Sequence, residues 1–192
     1  MTDTHDSIDR RIVKSKQALK DALIQLMKKK EFKEISITDL VQVANLNRGT
    51  FYKHYQYKED ILEEVLDDVI SDLIESYRDP YMHVEVLDIS KLTSAAVKVF
   101  DHVYKFADFY ILIVKSDKLS GFQNRICNVL KDLSLESISE HGPHTKINPD
   151  IQASYIAYAI FGIIIEWING GLTFSPEYMS EQLLEIVSQN KE

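Results

Sequence analysis

Ser36-Ile37-Thr38-Asp39-Leu40-Val41-Gln42-Val43-Ala44-Asn45-Leu46-Asn47-Arg48-Gly49-Thr50-Phe51-Tyr52-Lys53-His54 is the stretch from which the rest of this chain is read. Ser36 or Thr38 can cap a helix start, because a side-chain oxygen there accepts a first-turn N–H that has no partner inside the helix. Leu40, Val41 and Ala44 then share one helical face. Asn45-Leu46-Asn47 interrupts that pattern, and asparagine tolerates the left-handed backbone a tight turn needs. Asn47 can cap a second short helix, Arg48 to about His54. Two short helices joined by a tight turn match a helix-turn-helix.

In such a motif the second helix enters the DNA major groove, N-terminal residues first. Arg48 can donate two hydrogen bonds to a guanine edge. Gly49 removes a side chain and lets the backbone approach. Thr50 and Tyr52 offer hydroxyls, and Lys53 and Lys58 offer charge, to phosphates. Phe51 points to the core. A plain helical hairpin with an exposed polar face fits the same pattern. Charge adds to the first reading. The chain has 22 basic and 30 acidic residues, a formal charge of −8. Yet Arg10 to Lys58 holds twelve basic residues against four acidic ones, and the remainder ten against twenty-six. A basic module joined to an acidic body points to a polyanion partner, with DNA first.

Outward from the motif, helix signals continue. Ile12, Leu19, Ala22, Leu23, Leu26 and Met27 mark one face of a first helix, with Lys28-Lys29-Lys30 at its C-terminus. A longer helix begins near Lys58, carries a stripe from Ile61 to Tyr77 and stops at Pro80. After a loop near residues 80–89, helices are expected from Ser90 to about Phe106 and over Ala107–Lys115. A third runs from Gly121 or Phe122 to about Glu140. Asn148-Pro149-Asp150 opens a long helix stopped by Gly170-Gly171, and Ser175-Pro176-Glu177 opens the last. The reading is an all-α chain of about nine helices, with no strand pattern of length and no internal repeat. A three-helix N-terminal domain, 1–57, contains the helix-turn-helix at 38–54. A C-terminal helical domain, 58–192, follows, with helix 58–78 as the link.

Other classes are weakly supported. No nucleotide loop, Gly-x-Ser-x-Gly or zinc-protease motif occurs, so an enzyme is not expected. Cys127 lies on an apolar stripe and reads as a small hydrophobe. His141 and His144 make at most half a metal site, in a Gly-Pro loop. The first residues are polar, and the longest apolar stretch, Tyr155–Ile165, falls short of the about 20 residues a membrane span needs. No cofactor, metal or membrane is implied, and the cytoplasm is the expected location.

Ile37-Thr38-Asp39-Leu40 through Ala44, then Arg48 to Tyr55 and Lys58-Glu59-Asp60-Ile61-Leu62, resembles the tetracycline-repressor (TetR) family over about 45 residues. That family's usual string is close to T-x-x-x-I-A-x-x-A-G-V-S-x-G-T-F-Y-x-H-F-x-x-K-E-x-L. This chain departs from it at Val41 for the usual Ala, Asn45 for Gly and Asn47 for Ser, all physically mild. The resemblance implies that Thr38, Thr50, Tyr52 and Lys58 contact phosphates. It places Arg48, Gly49 and Lys53 toward base edges, with His54 and Tyr55 at the helix end, one near phosphate and one partly packed. Arg11 and Lys14 would add backbone contacts.

The acidic body resembles C-terminal domains common in Firmicutes members of that family. The carrying residues are Phe100, Tyr104 and Phe106 to Tyr110, then Gly121-Phe122, and later Phe161 to Leu172. The resemblance implies a homodimer built on the last two helices and a pocket for a small apolar or aromatic effector. Pocket residues would be Phe100, Tyr104, Phe109, Tyr110, Phe122, Tyr158, Phe161 and Glu166. The dimer face would include Ile160, Ile164, Trp167, Leu183 and Ile186. Independently of the resemblance, Ile156–Ile165 carries no charge and is apolar on every side but Tyr158, so it must be covered all round. The expected function is a DNA-binding regulator, a homodimeric repressor on a palindromic double-stranded operator, released by its effector. The alternative is an activator or co-regulator acting through a protein partner.

Overall fold

The computed structural model describes residues 3–78, 98–115, 120–141 and 146–189. Among the described residues there are nine α-helical segments and one 3-10 turn, Phe32–Glu34, and no strand. The helices are α1 Asp3–Met27, α2 Ile37–Val43, α3 Arg48–His54 and α4 Lys58–Arg78. Helical residues 98–105 form α5, followed by α6 Ala107–Lys115, α7 Ser120–His141, α8 Pro149–Asn169 and α9 Pro176–Gln189. The expected Pro80 stop, the 80–89 loop, the Ser90 start and His144 lie outside the described residues. Lys28-Lys29-Lys30 does not end α1. Lys29 and Lys30 instead donate backbone N–H groups to Leu26 O in the turn that follows.

The chain divides into two compact units, Met1–Asp68 and Val69–Glu192. The boundary falls inside α4 rather than before it, at residue 57. Ion pairs tie α1 to that half of α4. Lys16 reaches Glu64 at 2.7 Å, and Lys20 reaches Glu64 at 2.8 Å and Asp68 at 2.5 Å, so α1 binds the first turns of α4. The core of the first unit is Leu19 and Leu23 of α1, Ile35, Leu40 of α2, Phe51 of α3 and Ile61 and Leu66 of α4, all fully buried. Each such side chain contributes roughly 1.5–3 kcal/mol relative to exposure.

In the second unit α7 and α8 pack against one another, and α6 packs on both. Ala153, Ala157, Phe161, Ile164 and Ile168 recur at three- and four-residue spacing and form the buried face of α8. Its opposite face is open, with Ile151 67%, Tyr155 68% and Tyr158 65% exposed. The apolar run Tyr155–Ile165 is thus part of a 21-residue helix whose mean hydropathy reaches 1.6. By length and composition alone that helix could cross a membrane, although one face is packed into protein. The α8 terminus is set by Gly171 at φ +80, where Leu172 N–H returns to Trp167 O at 2.9 Å and Gly171 N–H to Ile168 O at 3.0 Å.

Candidate nucleic-acid interface

A serine starts α2, and two asparagines build the turn from α2 to α3. Ser36 is the α2 cap. Its Oγ accepts Asp39 N–H at 3.2 Å, and Asp39 Oδ2 accepts Ser36 N–H at 2.8 Å, a reciprocal capping box. The Asp39 carboxylate also receives Lys30 Nζ at 2.7 Å. That bond and those from Ser36 hold its carboxyl far below the usual range. Asn45 adopts φ +52, as the turn requires. Leu46 N–H then reaches Val41 O at 2.8 Å and Asn45 N–H reaches Gln42 O at 3.3 Å, closing the end of α2. Asn47 caps α3, its Oδ1 accepting Thr50 N–H at 2.8 Å and the Thr50 hydroxyl at 3.2 Å.

This geometry sorts the residues of α3. Phe51 is fully buried and fixes the inner face. Arg48, Gly49, Tyr52 and Lys53 are exposed, with Tyr52 at 59% and its ring edge-on to Phe51 at 5.2 Å. A Cβ on Gly49 would lie 3.2 Å from Asn47 Oδ1, so a larger residue would crowd the cap. Thr38 is exposed, and its Oγ1 accepts a hydrogen bond from Arg48 Nη2. Thr50 and His54 are half-buried.

Two of the expected residues are engaged within the protein. Tyr55 is buried, and Lys16 Nζ sits 5.3 Å above its ring. Burial, then the charge of Glu64, pushes its phenol well above the ordinary range. It packs rather than touches a ligand. Lys58 Nζ donates to Phe32 O at 2.7 Å, Ile35 O at 2.8 Å and Lys33 O at 3.3 Å, so its ammonium closes the 3-10 turn. The basic excess is likewise partly internal. Lys16, Lys20 and Lys30 bind carboxylates of the same unit, while Arg10, Arg11, Lys14 and Lys53 are exposed.

In the second unit the residues expected to line a pocket separate. Phe100, Phe109, Tyr110 and Phe161 are buried, Phe122 is half-buried, and Tyr104, Tyr158 and Glu166 are exposed. Tyr158 and Glu166 both line an open groove of about 580 Å³ between α8 and α9, with Gly162, Phe174, Tyr178 and Gln182. Of the expected dimer residues, Ile164 and Trp167 are covered by their own chain, because their positions fall on the packed face of α8. Trp167 receives the edge of Phe100 at 5.6 Å and stacks with Tyr104 at 6.4 Å. Ile160 and Leu183 are half-buried and Ile186 is 50% exposed.

Residues 19–65 match the family described as "Bacterial regulatory proteins, tetR family". Residues 90–189, about half of the chain, match "Transcriptional regulator C-terminal region". This chain belongs to the TetR family. The TetR family consists of transcriptional regulators, not enzymes. A curated relative, the uncharacterized HTH-type transcriptional regulator YxbF of Bacillus subtilis, is 27% identical over 173 residues, 90% of this chain. The chain spans 44% of the length of that relative. Among solved structures, a TetR transcriptional regulator from Streptococcus agalactiae is 24% identical with a TM-score of 0.67, covering 96% of this chain and 99% of the other. The dihydroxyacetone kinase operon activator DhaS is 21% identical with a TM-score of 0.68, covering 92% and 95%. These two structures share the TetR fold with this chain.

One buried polar cluster of this TetR-family body has no counterpart in the sequence reading. His102 of α5 places Nδ1 2.7 Å from Asp72 Oδ2 of α4 and Nε2 3.0 Å from Tyr110 Oη of α6. Lys105 also pairs with Asp72. Burial drives the imidazole below its usual range although Asp72 pulls the other way. With Asp72 ionised, the neutral ring carries its proton on Nδ1, and Nε2 accepts from the Tyr110 hydroxyl. The signal was present, since His102 lies three residues after Val99 and beside Val103 on the apolar stripe of α5. Among the described residues no group of His, Cys, Asp or Glu could hold a metal, and Cys127 is buried.

Proposed function

We propose that this chain is a homodimeric DNA-binding repressor acting in the cytoplasm on a palindromic operator, released by a small apolar or aromatic effector. The observation that carries the DNA reading is the two-sidedness of α3. Phe51 anchors one side in the core, while Arg48, Gly49, Tyr52 and Lys53 stand exposed on the other with major-groove chemistry. Thr38 and Thr50 stand at the starts of the two short helices, where phosphate contacts fix register.

The open face of α8 supports the dimer. Ile151, Tyr155 and Tyr158, with Phe174 and Tyr178 in the groove that Tyr158 also lines, leave apolar surface that a second copy would cover. Two identical heads suit an operator with half-sites about one helical turn apart. A dimer seated there blocks polymerase without further contacts, which favours repression. An effector would act through α4, which belongs to both units, and must prefer one spacing of the heads. The activator or co-regulator reading would put a different protein on the α8 face.

The test is a gel shift on DNA flanking the chain's own gene, with and without Tyr52→Ala, over a salt series. Affinity should fall with a log–log slope of about −0.9 per neutralised phosphate, and Tyr52→Ala should abolish the shift. A folded dimer that binds none of this DNA would sink the repressor reading. An operator affinity unmoved by apolar and aromatic compounds would remove effector release.

A further inference from the structure

We propose that Thr38 and Arg48 act as one reading unit, in which Thr38 positions the Arg48 guanidinium and thereby sets how strictly the facing base must be guanine. The inference rests on the DNA-binding reading above and adds a specificity role to a residue expected only to touch phosphate.

Arg48 is the first residue of α3 and is exposed. A long exposed arginine samples many rotamers, and ordering it on binding opposes a base contact. Here Nη2 donates to Thr38 Oγ1, ten residues earlier on α2. Thr38 is a suitable post for that bond. It is β-branched, so its side chain is stiff. Its hydroxyl is not spent on the helix cap, because Ser36 and Asp39 form that pair. The other threonine of the face, Thr50, already donates its hydroxyl to Asn47 Oδ1. One N–H given to Thr38 leaves four on the guanidinium, enough for the two-pronged bond to guanine O6 and N7. The Thr38 oxygen accepts from Arg48 and keeps its own proton to donate. The turn that carries both residues is held by the capping box, Asn45 and Asn47, so the spacing between them is fixed by backbone rather than by the pair itself.

The experiment uses the full chain and the duplex recovered from its flanking DNA, with each guanine of a half-site replaced in turn. Arg48→Ala identifies the position it reads, as the one where discrimination is lost. Thr38→Val should then lower discrimination at that same position about tenfold, with its melting temperature kept. Thr38→Ser should restore discrimination, and Thr38→Val should change discrimination no further in an Arg48→Ala background. If Thr38→Val weakens every duplex equally, or changes discrimination further in the Arg48→Ala background, Thr38 acts alone and the inference is overturned. If the wild-type chain binds no duplex, the DNA-binding reading falls and takes this one with it.

Discussion

Replacing Lys58 by Met tests whether that lysine holds the head together or touches DNA. The ammonium donates to Phe32 O at 2.7 Å and Ile35 O at 2.8 Å, both partly buried, and more weakly to Lys33 O at 3.3 Å. A hydrogen bond to a charged group contributes about 1.5–3 kcal/mol when well sheltered. Lys58 is half-buried, so about 1 kcal/mol for each of the two shorter bonds is the fair figure. Its ammonium also sits 4.6 Å above the Phe32 ring, worth about 0.5 kcal/mol at an exposed site. Met keeps the length and apolar packing, so the loss should be about 2–3 kcal/mol in the unit Met1–Asp68. Amide exchange in α2 and α3 should quicken by roughly 30-fold or more, and the head should melt roughly 10 °C lower. The competing role predicts the reverse. If Lys58→Met keeps its exchange protection while its DNA salt slope shrinks by about 0.9, Lys58 is a phosphate contact and the reasoning is wrong.

His102 makes stability pH-dependent. Burial holds its folded pKa below the ordinary 6.5 of a free histidine, so the unfolded chain binds more protons between the two values. Stability is therefore full above about pH 6.5 and falls on acidification, by at most about 1.4 kcal/mol per pH unit. Asp72, held below its usual range by His102 and Lys105, keeps its charge in that window. Urea midpoints from pH 7 to pH 5 should show the decline in wild type and a flatter profile in His102→Gln, and equal profiles would refute it. Tyr155→Glu places a charge on the open face of α8 and should convert a dimer to monomer by light scattering, with thermal stability of the isolated protomer little changed. A dimer that survives it uses another face.

Much of the head was legible because its signals are local. Asn45 at φ +52 and Asn47 as a cap follow from what asparagine does with backbone, and both stand where the pattern put them. The choice between Ser36 and Thr38 as cap needed one more fact, that Asp39 sits three residues after Ser36 and can close the reciprocal bond. Lys58 was not legible. Its partners are backbone carbonyls 23 to 26 residues away, and a carbonyl leaves no mark in a sequence. The basic window overstates the free charge for a related reason. Counting charge over a stretch of chain ignores Glu64 and Asp68, which lie just beyond it and bind Lys16 and Lys20.

The body shows the opposite case, where a strong sequence signal still leaves the surface undetermined. A helix apolar on one stripe announces which side is inward, but α8 is apolar nearly all round and so announces only that both sides need cover. Residue size does not break the tie, since tyrosines lie on the open side and alanines on the packed one. What breaks it is the approach of α7. Ala153 and Ala157 let a neighbouring helix come close, and Phe161, Ile164 and Ile168 then continue the same face by spacing alone. Ile164 and Trp167 follow to the inside, and Tyr155 and Tyr158 are left outside for whatever completes the fold. The small residues at 153 and 157, rather than the large ones that draw the eye, carry the information about where a partner must sit.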